Sequence, residues 1–319
     1  MLTVQGEFCV SFRLPSNGPN HIRKDNDMSM QAKICLVTGA TGGIGFVTAH
    51  ELARQGAQVV VVGRNHQKTT EMVRQIREET GNQQVEYLLA DLSRLDDVRD
   101  LASEFEQRYP RLDVLVNNVG GLFTKRRETS EGLEMTLALN YLSPFLLTNL
   151  LLPRLKASPS ARIVNVSAAA HRIGKIHFED LQSLHSYGGQ GWLAYGQAKL
   201  ASIIFTYELA RRLESTNVTV NALHPGIIAT NFGDEIGVGW KPLNRVLRGI
   251  FNRLALTPDQ GAQTSLYLAV SSEVEGISGQ YFSKCKTVHS SKASYDREAA
   301  TRLWQVSEEL THLSLMATR

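Results

Sequence analysis

The stretch Lys33-Ile-Cys-Leu-Val-Thr-Gly-Ala-Thr-Gly-Gly-Ile-Gly45 decides the fold, because it joins an apolar run to a helix through a glycine turn. Residues 34–37 are typical of a buried parallel strand, and residues 46–55 of an amphipathic helix. Unpaired N–H groups and the helix dipole make the start of such a helix favourable for a phosphate. The spacing of Gly39, Gly43 and Gly45 departs from the general G-x-G-x-x-G dinucleotide fingerprint. A tight turn without a ligand therefore stays an alternative for this stretch alone.

The composition is that of a soluble globular protein. The chain has 319 residues, 42% hydrophobic and 20% charged, which is enough for one large α/β domain. A formal net charge of +3 gives no reason to expect a nucleic-acid partner. The three scattered cysteines predict neither disulfides nor a metal site, and they favour a reducing compartment, the cytoplasm. No apolar window reaches the roughly eighteen residues that a membrane-spanning helix needs.

Strands and helices are predicted to alternate along most of the chain. Residues 1–32 lack periodicity and are predicted to be a disordered N-terminal tail. Residues 33–319 are predicted to form a single domain of the α/β class, a Rossmann-type, doubly wound parallel sheet of about seven strands with helices on both faces. Long helices are expected at residues 130–152, ended by Pro153, and at residues 193–213. Such a sheet binds its ligand beyond the carboxyl ends of its strands.

The end of the second predicted strand carries Arg64 and no acid. An acid there usually binds the ribose of NAD, whereas an arginine suits the 2′-phosphate of NADP. The cofactor is therefore predicted to be NADP(H) rather than NAD(H), with a solvated surface arginine as the alternative. Asp91 follows the third strand, where it could also cap a helix from Ser93. Asn117 and Asn118 follow the fourth strand as turn residues or as ligands of a base or of nearby backbone.

Tyr195 and Lys199 share one face of the predicted helix at residues 193–213. Their ordinary pKa values, about 10 and about 10.4, suit neither group to proton transfer at neutral pH. A nearby ammonium is expected to lower the pKa of the phenol, so that Tyr195 could exchange a proton with a carbonyl oxygen during hydride transfer. Ser167, at the end of the fifth strand, could hold the same oxygen. Because such pairs are common by chance, an ordinary helix pair remains the alternative here.

Together these residues resemble the short-chain dehydrogenase/reductase family, in its retinol dehydrogenase-like and WW-domain oxidoreductase-like branch. The resemblance extends over about residues 33–313. The motifs that carry it are Thr38-Gly-Ala-Thr-Gly-Gly-Ile-Gly45, Asp91, Asn117-Asn-Val-Gly120, Asn140, Ser167, Tyr195-x-x-x-Lys199 and His224-Pro-Gly226, with Gly63-Arg-Asn65, Leu151-Leu-Pro-Arg-Leu155, Gly261-Ala-Gln-Thr264 and Tyr281-Phe-Ser-Lys-Cys285 for the branch.

The resemblance implies a role for each matching residue. The implied cofactor-binding residues are Gly39, Thr41, Gly43, Ile44, Gly45, Arg64, Asn65, Asp91, Leu92, Asn117, Tyr195, Lys199, Pro225, Gly226 and Thr230. Asn140 would hold a water that links Lys199 to solvent, Ser167 would orient the substrate oxygen, and Tyr195 would be the acid/base. Lys199 would bind the nicotinamide ribose.

The resulting prediction is an NADP-dependent oxidoreductase that interconverts a lipophilic alcohol and its aldehyde or ketone. A non-catalytic sensor or scaffold that binds NADP(H) is the second class, and the presence of all catalytic residue types favours the enzyme. The family resemblance also implies a homodimer or homotetramer through the helices of Asn140 and Tyr195. His171, His177, His185 and His224 are dispersed in the sequence, and no metal is predicted.

Residues 243–254 have helical apolar spacing, with arginines off the apolar face. Three interpretations remain open for this segment. It could be a mobile lid over an apolar substrate, a helix fixed on the core, or a helix in peripheral contact with an anionic membrane.

Overall fold

The computed structural model describes residues 30–226 and 256–313 of the chain. Its strands are β1 Ile34–Thr38, β2 Gln58–Gly63, β3 Val85–Leu89, β4 Val114–Asn117, β5 Ala161–Val166, β6 Val218–Leu223, β7 Tyr281–Ser283 and β8 Lys286–Thr287. Its α-helices are α1 Gly43–Arg54, α2 His66–Thr80, α3 Leu95–Arg108, α4 Met135–Leu137, α5 Ser143–Leu150, α6 Leu152–Lys156, α7 Trp192–Arg212, α8 Pro258–Val270 and α9 Arg297–Thr311.

The strands form one eight-stranded sheet in the order β3-β2-β1-β4-β5-β6-β7-β8. Every pairing from β3 to β7 is parallel, and only β8 runs antiparallel to its neighbour. The predicted doubly wound α/β fold is therefore confirmed, with β8 as an addition to the predicted strands. The strand order reverses between β1 and β4, so their carboxyl ends flank the crevice where such a sheet binds a ligand.

The sheet is buried on both faces, as the valine-rich strand β2 shows. Val60 and Val62 pack into one apolar cluster with α3, α5, α7 and α9. Val59 and Val61 pack into a second cluster with α1, α2 and α8. Because successive side chains of a strand point to opposite faces, a continuous apolar run fits a strand covered on both sides.

The helix predicted for residues 130–152 is shorter and less regular than expected: helical backbone runs from Met135 to Leu150 as α4, a π-helical segment and α5, and α6 follows from Leu152. Glu134 starts α4 by accepting hydrogen bonds from the backbone N–H groups of Thr136 and Leu137, both at 2.7 Å. A π-helical turn, Ala138–Leu142, then separates α4 from α5. Pro153 does not end a helix but lies in the first turn of α6, where its missing N–H removes no helical hydrogen bond.

Ser93 does not cap α3, which begins two residues later. The backbone N–H of Leu95 donates to the carboxylate of Glu131 at 2.9 Å, a contact from another part of the chain. Asp91 instead holds Ser93 itself, accepting from its backbone N–H at 3.1 Å and from its hydroxyl at 2.7 Å. The start of α3 is therefore set by tertiary contacts that local sequence signals do not contain.

Helix α9 covers the outer face of α5 and α7. The Trp304 ring lies 5.1 Å from that of Phe145 and 5.8 Å from that of Phe205, measured between centroids. The hydroxyls of Tyr141 and Ser307 are 2.6 Å apart. Helix α9 therefore packs on the helices through which an oligomer is predicted, and the oligomer stays a prediction.

Part of the predicted tail packs on the sheet. Met30 is buried in the second apolar cluster, and its N–H donates to the carbonyl oxygen of Gln55 at 3.1 Å. Residues 1–29 lie outside the described residues, as does the predicted amphipathic helix at residues 243–254.

Candidate active site

The glycine turn after β1 requires glycine at three positions: two have a left-handed backbone conformation, and the third packs too closely on its neighbours for a side chain. Gly39 and Gly43 adopt φ values of 63° and 55°, which glycine reaches without strain. A Cβ atom on Gly45 would clash with the carbonyl oxygen of Gly39 and with the side-chain amide of Asn118. The first turn of α1 thus packs directly on the loop after β4.

Asn118 holds this turn in place. Its amide nitrogen donates to the carbonyl oxygens of Thr38 and Gly39 at 3.0 and 3.1 Å. Its backbone N–H donates to the Thr38 hydroxyl, also at 3.0 Å. The carboxyl ends of β1 and β4 are therefore joined at the point where the strand order reverses.

The turn fits the pyrophosphate of a dinucleotide. No side chain in the described part of the chain caps α1, so the dipole end of this helix faces the turn uncapped. A Cβ atom built on Gly42 would meet nothing within 4 Å, so there is room for a ligand beside the backbone. Thr41 is exposed next to Gly42, and Ile44 packs partly on the second apolar cluster.

Arg64 and Asp91 meet beyond the ends of β2 and β3. The guanidinium of Arg64 is 3.5 Å from the Asp91 carboxylate, and the arginine side chain is 74% exposed. Burial raises the pKa of Asp91, but hydrogen bonds from Ser93 and the charge of Arg64 outweigh it and hold the pKa below its ordinary value. Because Arg64 is exposed and Asp91 stays ionised, both charged groups are accessible to a ribose and its phosphate.

The two residues beside this pair have structural partners. The side chain of Asn65 caps α2 by accepting from the N–H of Lys68 at 2.9 Å. Leu92 is buried in the first apolar cluster. Any contact of Asn65 or Leu92 with the cofactor, as predicted, would therefore have to use atoms that are not engaged in the helix cap or in the core.

Lys199 is buried beside the end of β5. Its ammonium donates to the carbonyl oxygen of Val166 at 3.1 Å, and its own carbonyl oxygen accepts from the hydroxyl of Ser167 at 2.9 Å. A Cβ atom on Gly120 would lie 3.1 Å from the ammonium, so the loop after β4 closes over it. Burial lowers the pKa of Lys199 to about 8.

Tyr195 lies one helical turn before Lys199 and is 6% exposed. The lysine ammonium is 5.7 Å from the centre of the phenol ring. The predicted lowering of the Tyr195 pKa is not what the structure shows: burial raises this pKa. Desolvation of the phenol is the dominant influence among the protein's own groups. Tyr195 is therefore a protonated phenol at neutral pH, the form that donates a proton.

Asn140 lies within the π-helical segment Ala138–Leu142. Its amide donates to the carbonyl oxygens of Gly121 and Thr136, both at 2.8 Å, and its side-chain oxygen accepts from the N–H of Gly121 at 3.1 Å. The side chain thus fixes the loop after β4 against α4. Single π-helical turns are frequent at functional sites, and no period in the sequence indicates this one.

Asn117 and Asn118 point in opposite directions. The amide of Asn117 is buried and donates to Thr148 at 2.9 Å and to Asn165 at 2.8 Å. The amide nitrogen of Asn117 is therefore committed to the core, so the predicted contact with the cofactor would have to use other atoms of this residue. Asn118, for which a bond to nearby backbone was one of the predicted alternatives, is the one that lies on the glycine turn.

The loop after β6 completes the described part of the site. Gly226 has a φ of 91°, and a Cβ atom there would lie 2.7 Å from a methyl group of Leu256. Pro225 precedes it and is half-buried. Thr230 lies outside the described residues.

Comparison with known proteins decides the family. A family model described as short chain dehydrogenase matches residues 33–180 and 181–238. The chain belongs to the short-chain dehydrogenase family. The resemblance drawn from the motifs is confirmed, and so is the prediction that the protein is an oxidoreductase.

The chain is similar to relatives that are named as retinol and polyprenol dehydrogenases. The chain is 45% identical to retinol dehydrogenase 14 of Mus musculus over 294 residues, covering 88% of this chain and 86% of the relative. It is 39% identical to polyprenol dehydrogenase of Homo sapiens over 285 residues, covering 88% and 85% of the two chains.

Solved structures of other proteins share the fold of this chain. An uncharacterised protein from Mycobacterium paratuberculosis aligns with a TM-score of 0.71 and 33% identity, covering 89% of this chain and 94% of that one. An Escherichia coli short chain dehydrogenase complexed with NADPH aligns with a TM-score of 0.63 and 27% identity, covering 82% and 99%. Among the described residues, none of the helices has the length and apolar character to span a membrane.

Proposed function

We propose that this protein is an NADP(H)-dependent oxidoreductase that interconverts a lipophilic alcohol and its aldehyde or ketone, with Tyr195 as the acid/base. The observation that carries the proposal is the burial of Tyr195, Lys199 and Ser167 together at the carboxyl end of β5. This cluster lies beside the β1–β4 crevice, because Gly120 faces the Lys199 ammonium, which a Cβ atom at that position would approach to 3.1 Å, while Asn118, two residues earlier, bonds to the glycine turn.

The residues at the strand ends are suited to hold the cofactor. Gly42 and the start of α1 would accept the pyrophosphate, Asp91 the adenosine end and Arg64 the 2′-phosphate. Lys199 would contact the nicotinamide ribose, as the family resemblance implies. The bound nicotinamide would supply the hydride or accept it. The NADPH complex of the Escherichia coli relative supports a cofactor that carries the 2′-phosphate, NADP(H), rather than NAD(H).

The protein's own residues would move the proton. Burial keeps Tyr195 protonated, so its hydroxyl can donate to the oxygen of a carbonyl substrate as the carbon is reduced. The ammonium of Lys199 would stabilise the phenolate that results. To hold the oxygen of a carbonyl substrate, the Ser167 hydroxyl would turn its proton from the Lys199 carbonyl oxygen to the substrate.

An apolar rim beside Tyr195 supports a lipophilic substrate. Trp192 and Leu193 are 42% and 50% exposed at the start of α7, and the Trp192 ring lies 6.0 Å from that of Tyr195. Ile173, 54% exposed, packs beside Gly196. Exposed apolar side chains grouped at one site mark binding surfaces. The names of the two relatives, for retinol and polyprenol, agree with this chemistry.

Arg64→Ala is expected to remove most of a preference for NADPH over NADH. A hydrogen bond to a charged group contributes about 1.5–3 kcal/mol, so the preference of the native protein should be about tenfold to a hundredfold or more. Titration of both cofactors against intrinsic fluorescence measures the ratio. Arg74→Ala, which removes a similarly exposed arginine from α2, is the matched control and should leave the ratio unchanged. Equal affinity of the native protein for both cofactors would refute this assignment.

The rate with NADPH is expected to rise with the apolar length of the carbonyl substrate. A homologous series of aldehydes and ketones, followed at the nicotinamide absorbance, measures kcat/KM for each member. Trp192→Ala should lower kcat/KM about tenfold or more for long chains, because burial of an aromatic surface is lost. Short-chain members are the internal control and should be little affected. A series with no dependence on length, or the same loss at every length, would contradict a lipophilic substrate.

A further inference from the structure

Three side chains far apart in the sequence form one hydrogen-bonded cluster beneath the site. The Tyr281 hydroxyl lies 2.7 Å from Nδ1 of His224 and 3.4 Å from Nδ1 of His171. The tyrosine ring packs edge-on to the His171 ring at 5.0 Å and stacks on the His224 ring at 5.6 Å. His171 and Tyr281 are fully buried. The fold thus brings together two histidines that are dispersed in the sequence.

The partners of His171 determine its protonation. The backbone N–H of Ser291 donates to Nε2 at 3.1 Å, so this nitrogen carries no proton. The carbonyl oxygen of Ala168 lies 2.8 Å from Nδ1 and can only accept, so Nδ1 carries the proton. His171 is therefore a neutral imidazole, and the Tyr281 oxygen can only accept from it.

The protonation of Tyr281 and His224 follows from the same assignment of donors and acceptors. Because Nδ1 of His171 carries a proton and cannot accept, the buried Tyr281 hydroxyl donates its proton to the other nitrogen within reach, Nδ1 of His224 at 2.7 Å. The proton of His224 then lies on Nε2, which is 3.3 Å from the hydroxyl oxygen of Ser283. The hydrogen bonds therefore run in one direction, from His171 through Tyr281 and His224 to Ser283, and both imidazoles are neutral. A proton added to Nδ1 of His224 would leave the Tyr281 hydroxyl without its acceptor.

The two ends of the cluster are attached to the two walls of the proposed active site. His171 belongs to the short helical turn that follows Ser167, and this turn packs on Gly196, the neighbour of Tyr195. His224 directly precedes Pro225 in the loop predicted to contact the nicotinamide. The same two strand ends are also joined directly by the β5–β6 ladder, which pairs Val166 with Leu223, and by a hydrogen bond from the N–H of Ser167 to the carbonyl oxygen of Leu223 at 2.7 Å.

We propose that His171, Tyr281 and His224 are positioning residues, a brace that holds the Ser167 loop and the Pro225 loop at the spacing required for hydride transfer. The inference rests on the proposed function, and it adds residues that touch neither the reacting atoms nor the cofactor. The brace acts only when both imidazoles are neutral. Small displacements of groups that position a substrate can lower a rate about a hundredfold.

The surroundings keep the brace neutral down to acidic pH. The pKa of His224 is lowered to about 4 by burial and by His171, Arg172 and Lys284. Burial likewise lowers the pKa of His171, and Arg172 adds to this although the Ala168 carbonyl opposes it. Tyr281 also faces the hydroxyphenyl group of Tyr207. The pKa values of both histidines lie below the ordinary value of about 6.5, so the neutral brace persists at a pH where an ordinary histidine would already take up a proton.

Tyr281→Phe is the direct test, because it removes one oxygen and leaves the ring. We expect kcat to fall about tenfold to a hundredfold. The acidic limb of the pH–rate profile should move up by about one unit, since the hydrogen bond that favours neutral His224 is lost. Tyr109→Phe is the matched control: it also removes a buried hydroxyl, bonded to Glu86, but at the other end of the sheet. Its kcat and pH profile should stay those of the native protein.

His224→Asn should rescue much of the activity that His224→Leu loses, because the asparagine oxygen can replace Nδ1 as acceptor but cannot titrate. The acidic limb should then lose the contribution of His224 and retain only that of His171. Long-range ¹H–¹⁵N correlation of the native protein tests the brace without any turnover. We expect a proton on Nδ1 of His171 and on Nε2 of His224. Other tautomers, or a Tyr281→Phe profile equal to that of Tyr109→Phe, would overturn the proposal. Correct tautomers in a protein that turns over no substrate would instead count against the proposed function.

Discussion

Tyr195→Phe is expected to lower kcat by about a hundredfold to ten-thousandfold while leaving NADPH binding nearly unchanged. Removal of a positioned acid or base typically costs this much, because the proton must then come from water. The phenol is buried and protonated, and the change removes only its oxygen. Steady-state rates with the best carbonyl substrate give kcat, and fluorescence titration gives the dissociation constant of NADPH.

Tyr109→Phe serves again as the control for the loss of a buried tyrosine hydroxyl, and it should keep the native rate. A Tyr195→Phe protein with native turnover would remove Tyr195 from the mechanism. A variant that also loses NADPH binding would indicate a structural or cofactor-binding role instead. Thermal unfolding of both variants shows whether the fold has been preserved.

Lys199→Met is expected to lower kcat by about tenfold to a thousandfold. An opposite charge within a few ångströms shifts the pKa of a neighbouring acid by about one to three units. Loss of the Lys199 charge should destabilise the Tyr195 phenolate by the corresponding factor. Methionine has a similar length, so the buried site is not left with a cavity or with an unpaired charge. Rates at saturating NADPH separate this effect from weaker cofactor binding.

The pH profile distinguishes the charge of Lys199 from its bulk. Burial lowers the pKa of this lysine to about 8, so the ammonium is present below pH 8 and is lost above it. The native kcat/KM should therefore decline above about pH 8. A lysine with the ordinary pKa of about 10.4 would keep its proton well above that pH. The Lys199→Met profile should show no bend there. Lys175→Met, which removes an exposed lysine of a neighbouring loop, should keep both the rate and the bend. A bend that persists without Lys199 would assign it to another group.

The sequence by itself determined the fold class and the position of the crevice. The run Val59-Val-Val-Val62 can be buried on both faces only in a covered parallel sheet. The glycines after β1 allow left-handed backbone and close packing that other residues oppose, so their positions locate the turn. Tyr195 and Lys199 could be paired because helical spacing is a local property.

Other features were decided only by the tertiary structure. Sequence alone could not choose between Asn117 and Asn118, because the direction of each amide depends on Thr148 and Asn165 on one side and on Thr38 on the other. The start of α3 depends in the same way on a carboxylate from a distant loop.

The pKa of Tyr195 and the joining of His171 to His224 also needed the folded chain. Spacing showed the charge of Lys199 beside the phenol but not the burial of both groups, and desolvation reverses the direction of the shift. Tyr281 links the two histidines only because β7 lies beside β6 in the sheet. Local patterns determine strands, helices and turns, whereas burial and contacts between distant residues depend on how the sheet brings those elements together.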